Sequence, residues 1–231
     1  MGEDTKVYCT GDKLSWSDGN LMIVLGGGGD EKSGYEAHKH FYTLIGKDNP
    51  RILYIPVALD PTKHPWDSCL SWITNAFYGF GDIHFDMITE LDQLSGSALT
   101  QYDGIYIGGG NTYKLLKIIY DTEVDEALRN YEKKGVIFGG SAGAIIMGAD
   151  ISTAETFDPN EVGLDVTKGL DMISGYSVWP HYTEDHTSKI KEWVNDHQIP
   201  VLALSEEDTA TLADGKWSLS GIHPQLFDLQ Q

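Results

Sequence analysis

A chain of 231 residues, 41% hydrophobic and 11% aromatic, can bury a full core as one globular domain. Its 16 Lys and Arg stand against 35 Asp and Glu, and the resulting formal charge of −19 excludes nucleic acid and an anionic membrane surface as natural partners. No apolar run approaches the roughly 18 residues of a membrane span, and Met1-Gly2-Glu3-Asp4 lacks the layout of a signal peptide, so a cytoplasmic location is expected. Cys9 and Cys69 are too few for a disulfide framework or a zinc cluster, and neither a metal nor a cofactor is expected.

Residues 1–20 are polar and turn-rich and read as an N-terminal extension to an α/β domain over 21–231. The domain opens with Leu21-Met22-Ile23-Val24-Leu25, a strand apolar enough to be buried on both faces, followed by Gly26-Gly27-Gly28-Gly29. That glycine run lacks the Gly-Lys-Ser/Thr of a phosphate loop, and Asp30 and Glu31 would oppose an anion, so a loop of close backbone approach is the better reading. Residues 34–46 suit a helix, 51–57 a second strand, 66–77 a helix and 83–87 a third strand. Gly104-Ile105-Tyr106-Ile107 is a fourth strand, ending in Gly108-Gly109-Gly110-Asn111-Thr112, and the apolar spacing of 113–134 predicts one long helix.

Val136-Ile137-Phe138 then runs into Gly139-Gly140-Ser141-Ala142-Gly143, and an apolar, helix-compatible stretch follows. Gly139, Ser141 and Gly143 fit G-x-S-x-G, in which small neighbours let a sharp strand-to-helix turn push the serine hydroxyl above a sheet edge. Residues 149–176 show no periodicity and read as loops over that edge. A short strand at 176–179, a helix at 184–197, and strands at 201–204, 209–212 and 216–219 complete the chain, the last two joined by Asp214-Gly215. Alternating strands and helices predict one doubly wound, mostly parallel sheet with helices on both faces.

A serine hydroxyl needs a base, an acid to orient that base, and donors for an oxyanion. Among eight histidines, His181 stands out, because it follows Pro180 at the end of a strand and so falls on the same carboxyl edge as Ser141. Gly109 and Gly110, with Asn111 beside them, are candidates for oxyanion and substrate contacts, together with the N–H of Ala142.

These three segments, in this order, resemble the serine peptidase family that contains dipeptidase E (alpha-aspartyl dipeptidase) and cyanophycinase, across about residues 21–225. The resemblance implies a fold similar to class I glutamine amidotransferases and metal-free hydrolysis of short peptides. It implies Ser141 as nucleophile, His181 as base, and Gly109 or Gly110 with Ala142 as oxyanion donors. It also implies an acid between serine and histidine, where Asp158 is the first choice, Glu155 the second, and Glu161 lies nearby. An aspartyl substrate would need a cation, yet the only arginines, Arg51 and Arg129, are not evidently at the active edge. A different short peptide or an amide-linked polymer therefore stays open as substrate, and a homodimer is the candidate assembly. Two rivals remain: an esterase of the α/β-hydrolase kind, for which the 40 residues between Ser141 and His181 leave little room, and a non-catalytic binding protein on the same fold.

Overall fold

The computed structural model describes residues 8–9, 22–92, 94–131 and 135–229. Of the expected N-terminal extension only β1 (Tyr8–Cys9) falls within these residues. The chain continues through β2 (Met22–Gly26), α1 (Tyr35–Ile45), β3 (Arg51–Ile55), α2 (Trp66–Ala76) and β4 (His84–Met87). Next come α3 (Gly96–Leu99), β5 (Gly104–Ile107), α4 (Thr112–Asp121), α5 (Val124–Arg129), β6 (Val136–Gly140) and α6 (Ala142–Met147). The last third holds β7 (Ser177–Trp179), α7 (Thr187–His197), β8 (Val201–Ala203), β9 (Thr209–Ala213), β10 (Lys216–Ser220) and β11 (Gln225–Phe227).

The main sheet has the order β1-β10-β9-β2-β6-β5-β3-β4. Its five strands from β2 to β4 are parallel, and β9, β10 and β1 extend it antiparallel. Alternation along each parallel strand divides the core, since successive side chains leave a strand on opposite faces. Ile23, Leu25, Ile105, Ile107 and Ile137 pack with Leu115, Leu116 and Ile145 of α4 and α6. Val24, Tyr54, Tyr106 and Phe138 pack with Ala37 and Phe41 of α1 and Ile73 of α2. Helices therefore cover both faces, and the carboxyl ends of β2, β6 and β5 lie side by side along one edge. Among the described residues no helix is long and apolar enough to cross a membrane.

The predicted helix over 113–134 is two helices, with residues 132–134 outside the described set. Glu123 at φ 55° breaks it, while Val124 and Leu128 carry the same apolar pattern onward and are buried. Strands β7 and β8 do not join the main sheet but pair in parallel, with β11 antiparallel to β8, in a second sheet. Trp179, Val201 and Ala203 of that sheet pack on Ile190 and Val194 of α7. The hairpin at Asp214-Gly215 has both residues at positive φ, 51° and 71°, as a primed turn requires.

Candidate active site

Strand β6 delivers Ser141 at φ 50° and ψ −112°, a backbone conformation that L-residues rarely adopt. The turn is held from several sides. Its N–H donates to Gly26 O at 3.3 Å, and its carbonyl accepts from Ala144 and Ile145 N–H at 2.9 and 3.0 Å. A Cβ on Gly139 would lie 2.5 Å from Gly143 O, and one on Gly143 would lie 2.3 Å from Ile107 O. The two flanking glycines thus let β6, α6 and β5 approach backbone to backbone, and this closeness sets the angle of the turn.

Ser141 Oγ lies 3.0 Å from His181 Nε2. His181 itself sits at φ 49° just beyond β7, and its N–H donates to Gly27 O at 2.9 Å, which ties the second sheet to the loop after β2. On the other side of the ring, Nδ1 lies 2.9 Å from Glu206 Oε1. A carboxylate only accepts, so Nδ1–H donates to Glu206, and Nε2 keeps a lone pair facing the serine hydroxyl. Glu206 stands in the loop after β8, whose form depends on the buried Asp208. Asp208 Oδ2 accepts from Ser205 N–H and Oγ–H, and Oδ1 accepts from Ile222 and His223 N–H. Gly28 completes the support, because a Cβ there would lie 2.3 Å from His181 Cε1.

Neither Asp158 nor Glu155 occupies the place expected of an acid. Asp158 Oδ2 accepts from Thr112 N–H at 2.9 Å and from Thr112 Oγ1 at 2.6 Å, so it anchors the first turn of α4. Glu155 is exposed in a 3-10 turn over Ser152–Thr156, and Glu161 is exposed beyond it. Asn111 is also diverted from substrate. Its Oδ1 accepts from Lys114 N–H, capping α4, and its Nδ2 donates to Pro159 O. The capping geometry explains both outcomes: the Asp158 carboxylate and the Asn111 amide are held at the start of α4, and from residues 152–161 it is the Phe157 ring that meets the imidazole, at 5.9 Å between centroids.

The glycine run after β5 lies against the serine. A Cβ on Gly109 would be 3.3 Å from Ser141 Cβ, and Gly110, at φ +132°, has no room for one beside Ala58. Gly108 N–H donates to Ile55 O and Asn111 N–H to Ala58 O. Between them, the N–H groups of Gly109 and Gly110 meet no acceptor among the described residues. Ala142, first residue of α6, likewise has no intrahelical acceptor for its N–H.

The sequence model described as Peptidase family S51 matches residues 22–219. The chain belongs to peptidase family S51. A relative from Shewanella denitrificans, Peptidase E, is 29% identical over 179 residues, 72% of each chain. A probable alpha-aspartyl dipeptidase of Drosophila melanogaster is 23% identical, covering 74% of this chain and 72% of its own. A cyanophycinase of Geminocystis herdmanii is 26% identical over 83% of this chain and 73% of its own. Among solved structures, a putative Peptidase E protein from Listeria monocytogenes superposes with a TM-score of 0.68 at 18% identity, covering 90% of this chain and all of that one. At that identity the likeness speaks for the fold.

In this S51 peptidase a cavity of about 520 Å³ opens at Ser141, His181 and Gly109 and runs under the sheet edge towards α1 and α2. Its inner wall is aromatic: the Tyr106 and Phe138 rings stack at 4.5 Å between centroids, and Trp72 meets Tyr106 edge-on. His38, buried in α1, holds Tyr106 Oη at 3.0 Å through Nε2. Burial pushes the His38 imidazole down to about 4, so it is neutral at physiological pH. Sequence patterning places these residues in the core but says nothing of the hollow between them.

Proposed function

We propose that Ser141, His181 and Glu206 form the catalytic triad of a serine peptidase acting on short peptides. The observation that carries the reading is the continuous line from Ser141 Oγ to His181 Nε2 at 3.0 Å and from His181 Nδ1 to Glu206 at 2.9 Å, built on a strained elbow. His181 takes the Ser141 proton as Oγ attacks the scissile carbonyl. The oxyanion is met by the N–H of Ala142 and by that of Gly109 or Gly110. Collapse breaks the C–N bond, and His181 returns its proton to the leaving amine. Water then loses a proton to His181 as it attacks the acyl-enzyme, and Ser141 recovers that proton when the carboxylic acid leaves. Throughout, Glu206 holds the imidazole in one tautomer and offsets the charge it gains.

Two substrate classes come from the relatives' names, aspartyl dipeptides and the polymer implied by cyanophycinase. The test of the hydrolase reading is labelling by a serine-directed fluorophosphonate and hydrolysis of a mixed dipeptide panel, including Asp-X and aspartyl-arginine peptides. Both activities are expected in wild type and absent in Ser141→Ala. A wild-type protein that neither labels nor hydrolyses would instead favour a binding protein on this fold.

A further inference from the structure

The cavity beside Ser141 has a chemical character that the family relationship does not supply. Its wall combines Tyr54, Trp72, Tyr106 and Phe138 with smaller apolar groups from Ala37 and Leu59. Among the described residues no Lys, Arg, Asp or Glu lines it. Both arginines of the chain are engaged elsewhere. Arg51 opens β3, at the opposite end from the active edge, and pairs with Asp86 at 2.7 Å, while Arg129 lies near Asp125 on α5. Lys114 is turned onto the carbonyl of Leu59. Three histidines border the space. His181 faces Ser141 and Glu206, His64 is exposed at the rim, and His38 is 3% exposed with its Nδ1 unpartnered among the described residues.

We propose that this cavity is a specificity pocket for an uncharged aromatic or large apolar side chain next to the scissile bond, and that the protein discriminates against aspartyl peptides. The proposal rests on the triad reading of the same site. A carboxylate entering this space would lose its water and find no cation, a cost that no hydrogen bond from neutral walls repays. An aromatic ring gains twice, from burial of apolar area and from edge or offset contacts with the Tyr106–Phe138 stack. About 520 Å³ is within the roughly 300–1,000 Å³ of pockets that enclose a small organic ligand, so a six-membered or indole ring fits alongside the peptide bond at the mouth. The Tyr54 hydroxyl, which makes no hydrogen bond among the described residues, provides a neutral polar point for a phenol or indole N–H.

The test compares kcat/KM at neutral pH for dipeptides carrying Phe, Tyr, Trp, Leu or Asp on either side of the scissile bond, with wild type and Leu59→Arg. Binding of the same peptides to Ser141→Ala is read from tryptophan fluorescence. The best aromatic peptide is expected to exceed its Asp counterpart by about 100-fold or more, and Leu59→Arg to narrow the gap about tenfold by improving the Asp substrate. Equal or better turnover of Asp peptides by wild type would overturn the proposal. If no peptide is cleaved and Ser141 resists the fluorophosphonate, the hydrolase reading fails separately. Binding to Ser141→Ala then decides the pocket: tighter binding of aromatic peptides than of Asp peptides supports it, and equal or weaker binding overturns it.

Discussion

Replacing Glu206 by Gln isolates the charge of the proposed triad acid, because the amide oxygen can still accept from His181 Nδ1–H at the same 2.9 Å. What disappears is the attraction between a carboxylate and the imidazolium that forms as Ser141 gives up its proton. Two unit charges about 4 Å apart attract by about 1 kcal/mol in water and about 4 kcal/mol at an effective dielectric of about 20. Here the side chains are 49% exposed at Glu206 and 35% at His181, so screening holds the value well below the upper figure. About 2 kcal/mol is the central expectation, or a ~30-fold loss of kcat/KM for Glu206→Gln. Glu206→Ala should lose a further factor of about ten, since nothing then fixes the ring. The assay is kcat/KM on the best dipeptide of the panel, run beside the rate of fluorophosphonate labelling, which depends on the same proton transfer. A Glu206→Gln protein within twofold of wild type in both would refute the assignment.

Asp158→Ala removes the acceptor of Thr112 N–H and Oγ1–H, and Thr112 is fully buried, so urea denaturation should show a loss of about 1–3 kcal/mol. Its kcat/KM should change only a few-fold, and a 100-fold fall without destabilisation would return the acid's role to Asp158. Gly28→Ala puts a methyl 2.3 Å from His181 Cε1 at φ +107°, so the ring must move and kcat/KM should fall by about 100-fold while circular dichroism stays native. Near-normal activity would show that the imidazole has slack the packing denies. His38 gives a pH dependence of stability: with its folded pKa at about 4 and an ordinary value of 6.5, the unfolded chain binds the extra proton between those limits. Stability should therefore fall as pH drops from about 6.5 towards 4, by at most about 3 kcal/mol from this group, and His38→Gln should show a shallower decline in urea titrations. Equal slopes would mean that the ring is solvated within the cavity.

Most of the fold is legible in the sequence because its strands announce themselves. Buried parallel strands have no polar face, so runs such as Met22-Ile23-Val24-Leu25 and Gly104-Ile105-Tyr106-Ile107 are apolar throughout and are cut off by glycine. The elbow is legible because its steric demands are local: Gly139 and Gly143 are required by contacts within a few residues of Ser141 and with the neighbouring strand. The break at Glu123 is not, since a left-handed turn at one residue leaves the spacing of Val124 and Leu128 on the same apolar face. Nor is the separate sheet of β7, β8 and β11, because periodicity reports which face is buried and not which neighbour buries it.

The acid shows the limit more sharply. Asp158 lies between Ser141 and His181 along the chain, but order along the chain carries no distance across a sheet edge. Its carboxylate is drawn to the N–H and hydroxyl of Thr112, which face it at the start of α4. Glu206 comes 25 residues after His181, in a run of three acids that reads as a solvated loop. A topological clue was nonetheless present. His181 follows β7, and Val201-Leu202-Ala203 is the next apolar strand; once the two pair in parallel, the residues just past each carboxyl end must be neighbours. Leu204 N–H donates to Trp179 O and Tyr182 N–H to Leu204 O, so the pairing continues beyond the strands and carries the two loops together. Asp208 then selects among the acids, because by taking the N–H groups of Ser205, Ile222 and His223 it buries itself as the loop's anchor and leaves Glu206 to face the imidazole. The carboxylate that meets the imidazole is the one whose backbone is fixed by another carboxylate, and that relation is set by pairing between strands rather than by any motif along one of them.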